Sequence, residues 1–590
     1  MKSTIRHAVL AIAAALAMVP TVRADGPAAF AQVEIRGLDA LFAATDRIAA
    51  PYVPAGQAKG MFIGACEARG INPFEVVDGG ETVRFLVCEA PNYLLDIPAA
   101  GGDASAVLEK LAGALGAVDT PKGVDMPEGA HFLRTGLPAN ARSLFIPRGG
   151  RLVAIDYTKP NPIPPAQALA LLDATPDVPA EGVLASTIDF EALKTVWTPA
   201  PEDSSATGFR EILADPDFPF RAVAFGLGLD GADRFRADFS AAYIPDVPQA
   251  RIVSGIGAPV SPLANAILFP DAVAAATCRQ ELSVLSDDEL RSFLSGDTGD
   301  DDPRIAAADV ALTAACLPLL RLLGDEYAIA LLPADDGEEA GSAALLAFPA
   351  DPQTALDGVP AILEGGISAF AGAFAAIAEE DGDDVPDVAV AASRIRIEPV
   401  GERTVQGTPV RRYTFRLEGE GNDSARDLGF FEAAAAGPAL YLGTLPDGRL
   451  GDVLADLAAG HTAKGPVAAM PSFAAAYGEA PEGAACGYVR LRPALRAILP
   501  ALRNLMRAMG ADEIELKDLV NPVSFALSLD GHPYLPDVTL ASTQRWLPDG
   551  NRLESIVSMP LADLHAAIDA VVTCHRRACE IIGAHGAAGR

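Results

Sequence analysis

The stretch VAFGLGLDG, residues 223–231, returns as VSFALSLDG, residues 523–531. Valine, phenylalanine, both leucines and the Asp-Gly pair keep the same spacing, with apolar residues on alternate positions. That pattern is a half-buried strand running into a tight turn. Its recurrence predicts a tandem duplication. The match extends outward: PAEGVLASTIDFEAL (179–193) resembles APEGAACGYVRLRPAL (480–495), and Leu144-Phe145 and Gly150-Arg151-Leu152 align with Leu440-Tyr441 and Gly448-Arg449-Leu450. Downstream, Ile252-Val253-Ser254, Pro262 to Asn265 and Thr277-Cys278 align with Ile556-Val557-Ser558, Pro560 to Asp563 and Thr573-Cys574. Slips of a few residues between these matches are what surface-loop insertions produce.

Outward from that pair, the chain divides into a leader at 1–24, a first copy at 25–283, an acidic linker at 284–302 and a second copy at 303–590. The second copy contains a stretch, 379–417, with no counterpart in the first. Alternating strands and helices would suggest a parallel sheet, but meanders joined by Asp-Gly turns favour antiparallel pairing. The predicted fold class is therefore α+β: two homologous lobes of mainly antiparallel sheet, covered on one face by Ala/Leu-rich helices.

The leader has a basic head (Lys2, Arg6, His7), an apolar run from Ala8 to Val19 and small residues up to Ala24. This is the form of a signal peptide, with cleavage expected after Ala24, and the run is shorter than the roughly 20 residues a membrane helix needs. No later run is long and apolar enough to span a bilayer. The expected location is periplasmic or extracellular. A net charge of −33 excludes nucleic acid, whose phosphates need a basic face, and disfavours anionic membranes. Half the residues are hydrophobic, so the chain has enough apolar surface for a large core.

Of the seven cysteines, Cys66 with Cys88 and Cys574 with Cys579 are the pairs suggested by spacing, and Cys486 is the expected free thiol. Export permits disulfides, and at least one is expected.

Motifs that carry chemistry are scarce. Asp297-Thr298-Gly299 spells the aspartic-protease triplet, but it lies in the acidic linker and has no counterpart in the second copy. EEDGDDVPD (379–387) lacks the spacing of a calcium loop ending in Glu. There is no HExxH, GxSxG, SxxK or P-loop, and no metal or cofactor is assigned.

Two arginine arrays stand out in the second copy. Arg492, Arg496, Arg503 and Arg507 fall within an arc of roughly 60° on a helix, at about 100° per residue. Arg394 and Arg396, with Arg412 and Arg416, alternate with apolar residues on two consecutive strands. Arginine forks match carboxylates and phosphates, so these eight are the candidate anion or partner face; the alternative is that they neutralise the protein's own acidic surface. What the copies share specifies packing rather than polar chemistry. The leading expectation is therefore a non-catalytic exported protein of the cell envelope, binding a protein partner or small ligand. The alternatives are a secreted hydrolase with its site in the non-equivalent parts of the second copy, and a carrier of an apolar ligand such as a lipid.

Overall fold

The computed structural model describes residues 29–67, 71–88, 93–135, 142–157, 162–196, 218–294, 303–334, 341–380, 393–419, 425–508 and 536–588. The chain forms two compact units, residues 1–244 and 245–590. The leader, the Asp297 triplet, most of EEDGDDVPD and the second of the two matched stretches, 523–531, lie outside the described residues.

The first unit has nine described strands: β1 (Ala31–Arg36), β2 (Thr82–Val87), β3 (Tyr93–Pro98), β4 (His131–Arg134), β5 (Arg142–Arg148), β6 (Arg151–Asp156), β7 (Leu184–Asp189), β8 (Phe220–Leu229) and β9 (Arg234–Tyr243). All pair antiparallel, in the order β9-β8-β7-β1-β2-β3-β6-β5-β4. The helices are α1 (Leu38–Ala49), α2 (Gln57–Glu67), α3 (Ala104–Leu115), α4 (Pro165–Ala174) and α5 (Phe190–Val196). Read from spacing alone, residues 28–50 form one helix with Ile35, Leu38, Leu41, Phe42 and Ile48 on one side; the first described element is instead a strand, β1. Val33 and Ile35 alternate with Gln32 and Glu34, and this period-2 signal was hidden by the helical spacing that follows it.

The second unit contains α6 (Pro248–Val253), β10 (Ala274–Arg279), α7 (Asp287–Leu294), α8 (Pro303–Leu323), β11 (Glu326–Leu332), β12 (Ser342–Ala347) and α9 (Pro352–Glu380). It continues with β13 (Ile395–Val405), β14 (Thr408–Leu417), β15 (Arg426–Ala436), β16 (Ala439–Gly443), α10 (Asp447–Ala459), α11 (Pro471–Tyr477), β17 (Ala485–Arg490), α12 (Leu491–Ala508), β18 (Thr539–Leu547), β19 (Arg552–Pro560) and α13 (Leu561–Ala588). Its sheet, again antiparallel, runs β19-β18-β17-β10-β11-β12-β16-β15-β14-β13. In each unit the first strand is central, and its neighbours are the second strand and a much later one that runs straight into a helix. In the first unit that late pair is β7 and α5; in the second it is β17 and α12.

Within this frame the similar segments 179–193 and 480–495 occupy matching places, each running through the strand beside the first one and into a helix. Other alignments pair unlike structures. Thr277-Cys278 lies in β10, whereas Thr573-Cys574 lies in α13; Ile252-Val253 lies in α6, whereas Ile556-Val557 lies in β19; Gly150-Arg151-Leu152 enters β6, whereas Gly448-Arg449-Leu450 lies in α10. The segment after Pro270, which local pattern alone reads as a helix closing the first copy, is thus the central strand of the second unit. The acidic linker is also partly regular. Ser286 Oγ accepts from Glu289 N at 3.2 Å while Glu289 Oε2 accepts from Ser286 N at 2.8 Å, a reciprocal cap that starts α7.

Helices cover both faces of each sheet rather than one. In the first unit, Leu108 and Leu111 of α3 pack on Phe145, Leu152 and Ala154, while Ala168 and Leu172 of α4 pack on the alternate residues Leu144, Ile146, Val153 and Ile155. In the second, Leu356 and Val359 of α9 pack on Tyr413, Phe431 and Leu440, while α10 and α11 cover Ala434, Tyr441 and Ala330. A strand buried on both faces loses the polar alternation that marks a one-sided sheet, as the ALLA of β12 illustrates. Small side chains on the strands let helices approach closely, and buried rings fill the space. Tyr441, Phe473 and Tyr477 are fully buried. Each tyrosine hydroxyl is partnered, Tyr441 accepting from Leu445 N at 3.1 Å and Tyr477 sharing 2.6 Å with Thr543 Oγ1.

Cys88, Cys278, Cys316 and Cys486 are free thiols, and no disulfide joins Cys66 to Cys88. Cys88 sits in the core beside Leu86, and its counterpart is on the partly exposed α2. Cys486 lies buried in β17 as a free thiol. The side chains of Cys574 and Cys579 are outside the described set.

Candidate functional site

On the α4 face of the first sheet, one row of side chains crosses four strands. The register places Glu34 of β1 opposite Arg84 of β2, Arg84 opposite Asp96 of β3, and Asp96 opposite Val153 of β6. Residues directly opposite on antiparallel strands have Cβ atoms about 5 Å apart, so the row alternates negative, positive, negative and apolar at contact distance. Arg151, two residues before Val153, reaches Asp96 diagonally. Its Nε lies 2.8 and 3.0 Å from the two carboxylate oxygens, and its Nη2 donates to Thr82 O at 2.6 Å. Arg84 pairs with Asp177 and lies 3.7 Å from Glu34.

Burial makes this row unusual. Glu34 is 1 % exposed and Asp96 is 8 % exposed, and a buried carboxylate persists only when its oxygens are hydrogen-bonded. Glu34 Oε1 accepts from Gln32 Nε2 at 2.7 Å and from Val178 N at 3.1 Å, and its Oε2 accepts from Arg36 at 3.1 Å.

Above the row is a cleft of about 640 Å³, within the range of small-molecule sites. Its floor is Arg84, Asp96 and Val153; its walls are Glu81 and Thr82 on one side and Leu172 and Asp173 on the other, with Arg148 and Arg151 at the third. Arg148 ends β5 and holds Asp173, in the last turn of α4, through two parallel bonds of 2.9 and 2.8 Å. These bonds hold the Asp173 carboxyl below its usual range, and Arg148 is raised in turn. A guanidinium has five N–H donors. Arg148 spends two of them on Asp173, so donors remain available to a ligand.

The sequence placed its arginine face elsewhere, in the second unit. Arg396 lies directly opposite Arg416, and each takes a carboxylate: Arg396 pairs with Glu418 at 3.2 Å and Arg416 with Glu398 at 3.0 Å. The guanidinium of Arg412 stacks 3.8 Å above the ring of Phe430. Arg394 and Arg492 are also engaged. Arg496 is exposed on α12, and the side chains of Arg503 and Arg507 fall outside the described residues.

The two arrays are not brought together. Ala494 and Ala497 of α12 pack on Leu331, which shares a sheet face with Ile329, Leu345, Leu442 and Ala433, the face covered by α9. Arg412 and Arg416 alternate with Tyr413 and Phe415 and therefore belong to the other face. The first-unit cleft was missed because its members come from five segments, each holding only one or two charged residues; no local spacing reveals them.

Among the described residues, no group of three His, Cys, Asp or Glu side chains is placed to hold a metal, and no helix is long and apolar enough to cross a membrane. No family model matches the chain, and neither curated proteins nor solved structures give a match.

Proposed function

We propose that the chain is an exported, non-catalytic binding protein of the cell envelope, made of two homologous lobes, with its ligand site in the cleft over β2, β3 and β6 of the first lobe. The cleft carries this reading. Three arginines from three strands, β2, β5 and β6, converge there with Asp96, Glu81 and Asp173, in a volume suited to a small molecule. The common strand order of the two units supports homology between the lobes, with β1 corresponding to β10 and β7 to β17. On this alignment the second lobe's added hairpin strand β13, within the stretch 379–417, is an extension at the sheet edge. The eight second-lobe arginines remain a possible partner face, and five of them, Arg394, Arg396, Arg412, Arg416 and Arg492, already have partners within the chain.

Native mass spectrometry of protein purified from its own envelope compartment tests the proposal. A retained small molecule, lost in the Arg151→Ala variant, is the expected result. A chain that emerges empty, or one that retains a lipid unaffected by that variant, would remove the cleft from consideration and leave the hydrolase or the apolar carrier.

A further inference from the structure

We infer that the first-lobe cleft takes a small anion bearing a carboxylate or phosphate group, and that Asp173 is a built-in competitor which occupies Arg148 until that anion displaces it. This deepens the ligand-site reading above and rests on it.

The Arg148 to Asp173 contact has the form of ligand recognition: two parallel N–H bonds, 2.9 and 2.8 Å, from one guanidinium edge to one carboxylate. Its setting makes it exchangeable. Both side chains are about half exposed, at 45 % and 61 %, and such pairs contribute little to stability because water screens them. Asp173 also stands in the last turn of α4, where the helix carbonyls disfavour negative charge. Arg148 leads into the Gly149-Gly150 turn of the β5–β6 hairpin, with Gly149 at φ 58°. The guanidinium is thus carried at the end of a strand, next to a turn, rather than in the middle of one.

The deeper charges are arranged differently. Arg151 is committed to Asp96 and to Thr82 O, and it forms a fixed floor. Formal charges around the cleft cancel, three arginines against Glu81, Asp96 and Asp173. In a protein of net charge −33, screened beyond about 8 Å at physiological salt, a neutral pocket repels an anion less than the acidic surface does. Arg84 is shared with Glu34 and Asp177 and Arg151 is held by Asp96, so once Asp173 swings away the uncompensated positive charge is that of Arg148. A ligand carboxylate or phosphate then meets the fork that Asp173 has left.

Isothermal titration of the full chain with inorganic phosphate and with acetate, each against sodium chloride at matched ionic strength, separates the two anion sources. The expected result is one saturable site for at least one anion, about fivefold tighter in Asp173→Asn, an exposed pair being worth up to roughly that factor. Binding is lost in Arg148→Ala, while circular dichroism stays that of the wild type. The inference is overturned if Asp173→Asn binds neither anion more tightly than wild type, or if Arg148→Ala binds as wild type does. Should Asp173→Asn not fold, the wild-type melting temperature replaces it: a saturable rise with phosphate or acetate beyond the chloride control supports the inference, and its absence defeats it. A neutral ligand retained in native mass spectrometry with no response to either anion would sink the inference and leave the binding-protein reading intact.

Discussion

The carboxylate of Glu34, on the central strand β1, accepts a hydrogen bond from the main-chain N–H of Val178, 144 residues further along the chain. One buried side chain thereby ties the middle of the sheet to the segment that leads from α4 into β7. Replacing Glu34 with alanine removes the acceptor for Val178 N and Gln32, and leaves Arg36 with its bond to Val178 O at 2.6 Å. Arg36 is 29 % exposed and loses little, so the cost is that of buried donors left unsatisfied, about 1 to 3 kcal/mol. Denaturant unfolding of Glu34→Ala should show a loss in that range, and a loss below about 1 kcal/mol would show that the network is not a structural tie.

Tyr477 and Thr543 test the same principle in the second unit. Both are buried, and their hydroxyls are 2.6 Å apart. Tyr477→Phe keeps the ring but leaves Thr543 Oγ1 without its partner, which should cost about 1 to 3 kcal/mol. Thr543→Val in the same background should recover part of that loss, because an unpaired buried hydroxyl is the source of the cost. Failure of the double variant to recover anything would count against this assignment.

Glu326 gives a pH dependence with a definite sign. Burial pushes its carboxyl above the ordinary 4.5, against the pull of the Ser261 N–H and of Arg279. The folded state therefore holds this proton more tightly than the unfolded chain. Stability from this group is greatest below 4.5 and declines as pH rises through the raised folded value. Glu326→Gln keeps an acceptor for Ser261 N, 2.7 Å away, and removes the charge. The variant should equal or exceed the wild type in stability at pH 7 and lack that decline. Asp271, held by two bonds from Arg449 and lowered mainly by them, has the opposite sign: its contribution is present above the ordinary 3.8 and lost on acidification below it.

Burial pushes the Cys88 thiol up to about 12 and the Cys486 thiol up to about 11. Since the thiolate is the reactive form, neither should be alkylated by iodoacetamide in the native protein at pH 8, and both should react after unfolding. Peptide mapping reads this directly. Rapid native labelling of Cys88 would show that the first-unit core opens at that point.

Gly226 lies where β8 passes the backbone of Glu181, and a Cβ there would collide with Glu181 O. The obstacle is main chain, so it cannot swing aside. Gly226→Ala should lower stability by about 1 to 3 kcal/mol as an overpacking change. In contrast, the exposed Arg496→Ala should shift it by less than about 0.5 kcal/mol. Parallel melts of the two variants check both.

Much of the fold was legible where local pattern and tertiary role agree. The DG turn after β8, the Asp103 cap whose carboxylate accepts from Ala106 N at 3.0 Å, the Pro352 start of α9 and the successive strands β11 and β12 all follow from short-range signals. The errors have a common cause. β1 and β10 are six residues each and owe their strand form to partners on both edges, so tertiary pairing overrode a helical reading. The candidate site was illegible for a related reason. Glu34, Arg84, Asp96, Arg151 and Asp173 become neighbours only through cross-strand register, which no single stretch of sequence contains.

The central position of β1 also has a consequence in time. β1 is the first strand to be synthesised, yet one of its edges stays open until β7 arrives, and β10 waits likewise for β17. Such distant pairings give a high contact order, and domains dominated by them fold in milliseconds to seconds rather than microseconds. The nascent chain therefore carries a central strand paired on one edge only through most of the making of each unit. Nor does the closing strand end the sheet: β8 and β9 follow β7, and β18 and β19 follow β17, so in each unit the half of the sheet beyond the central strand is assembled last.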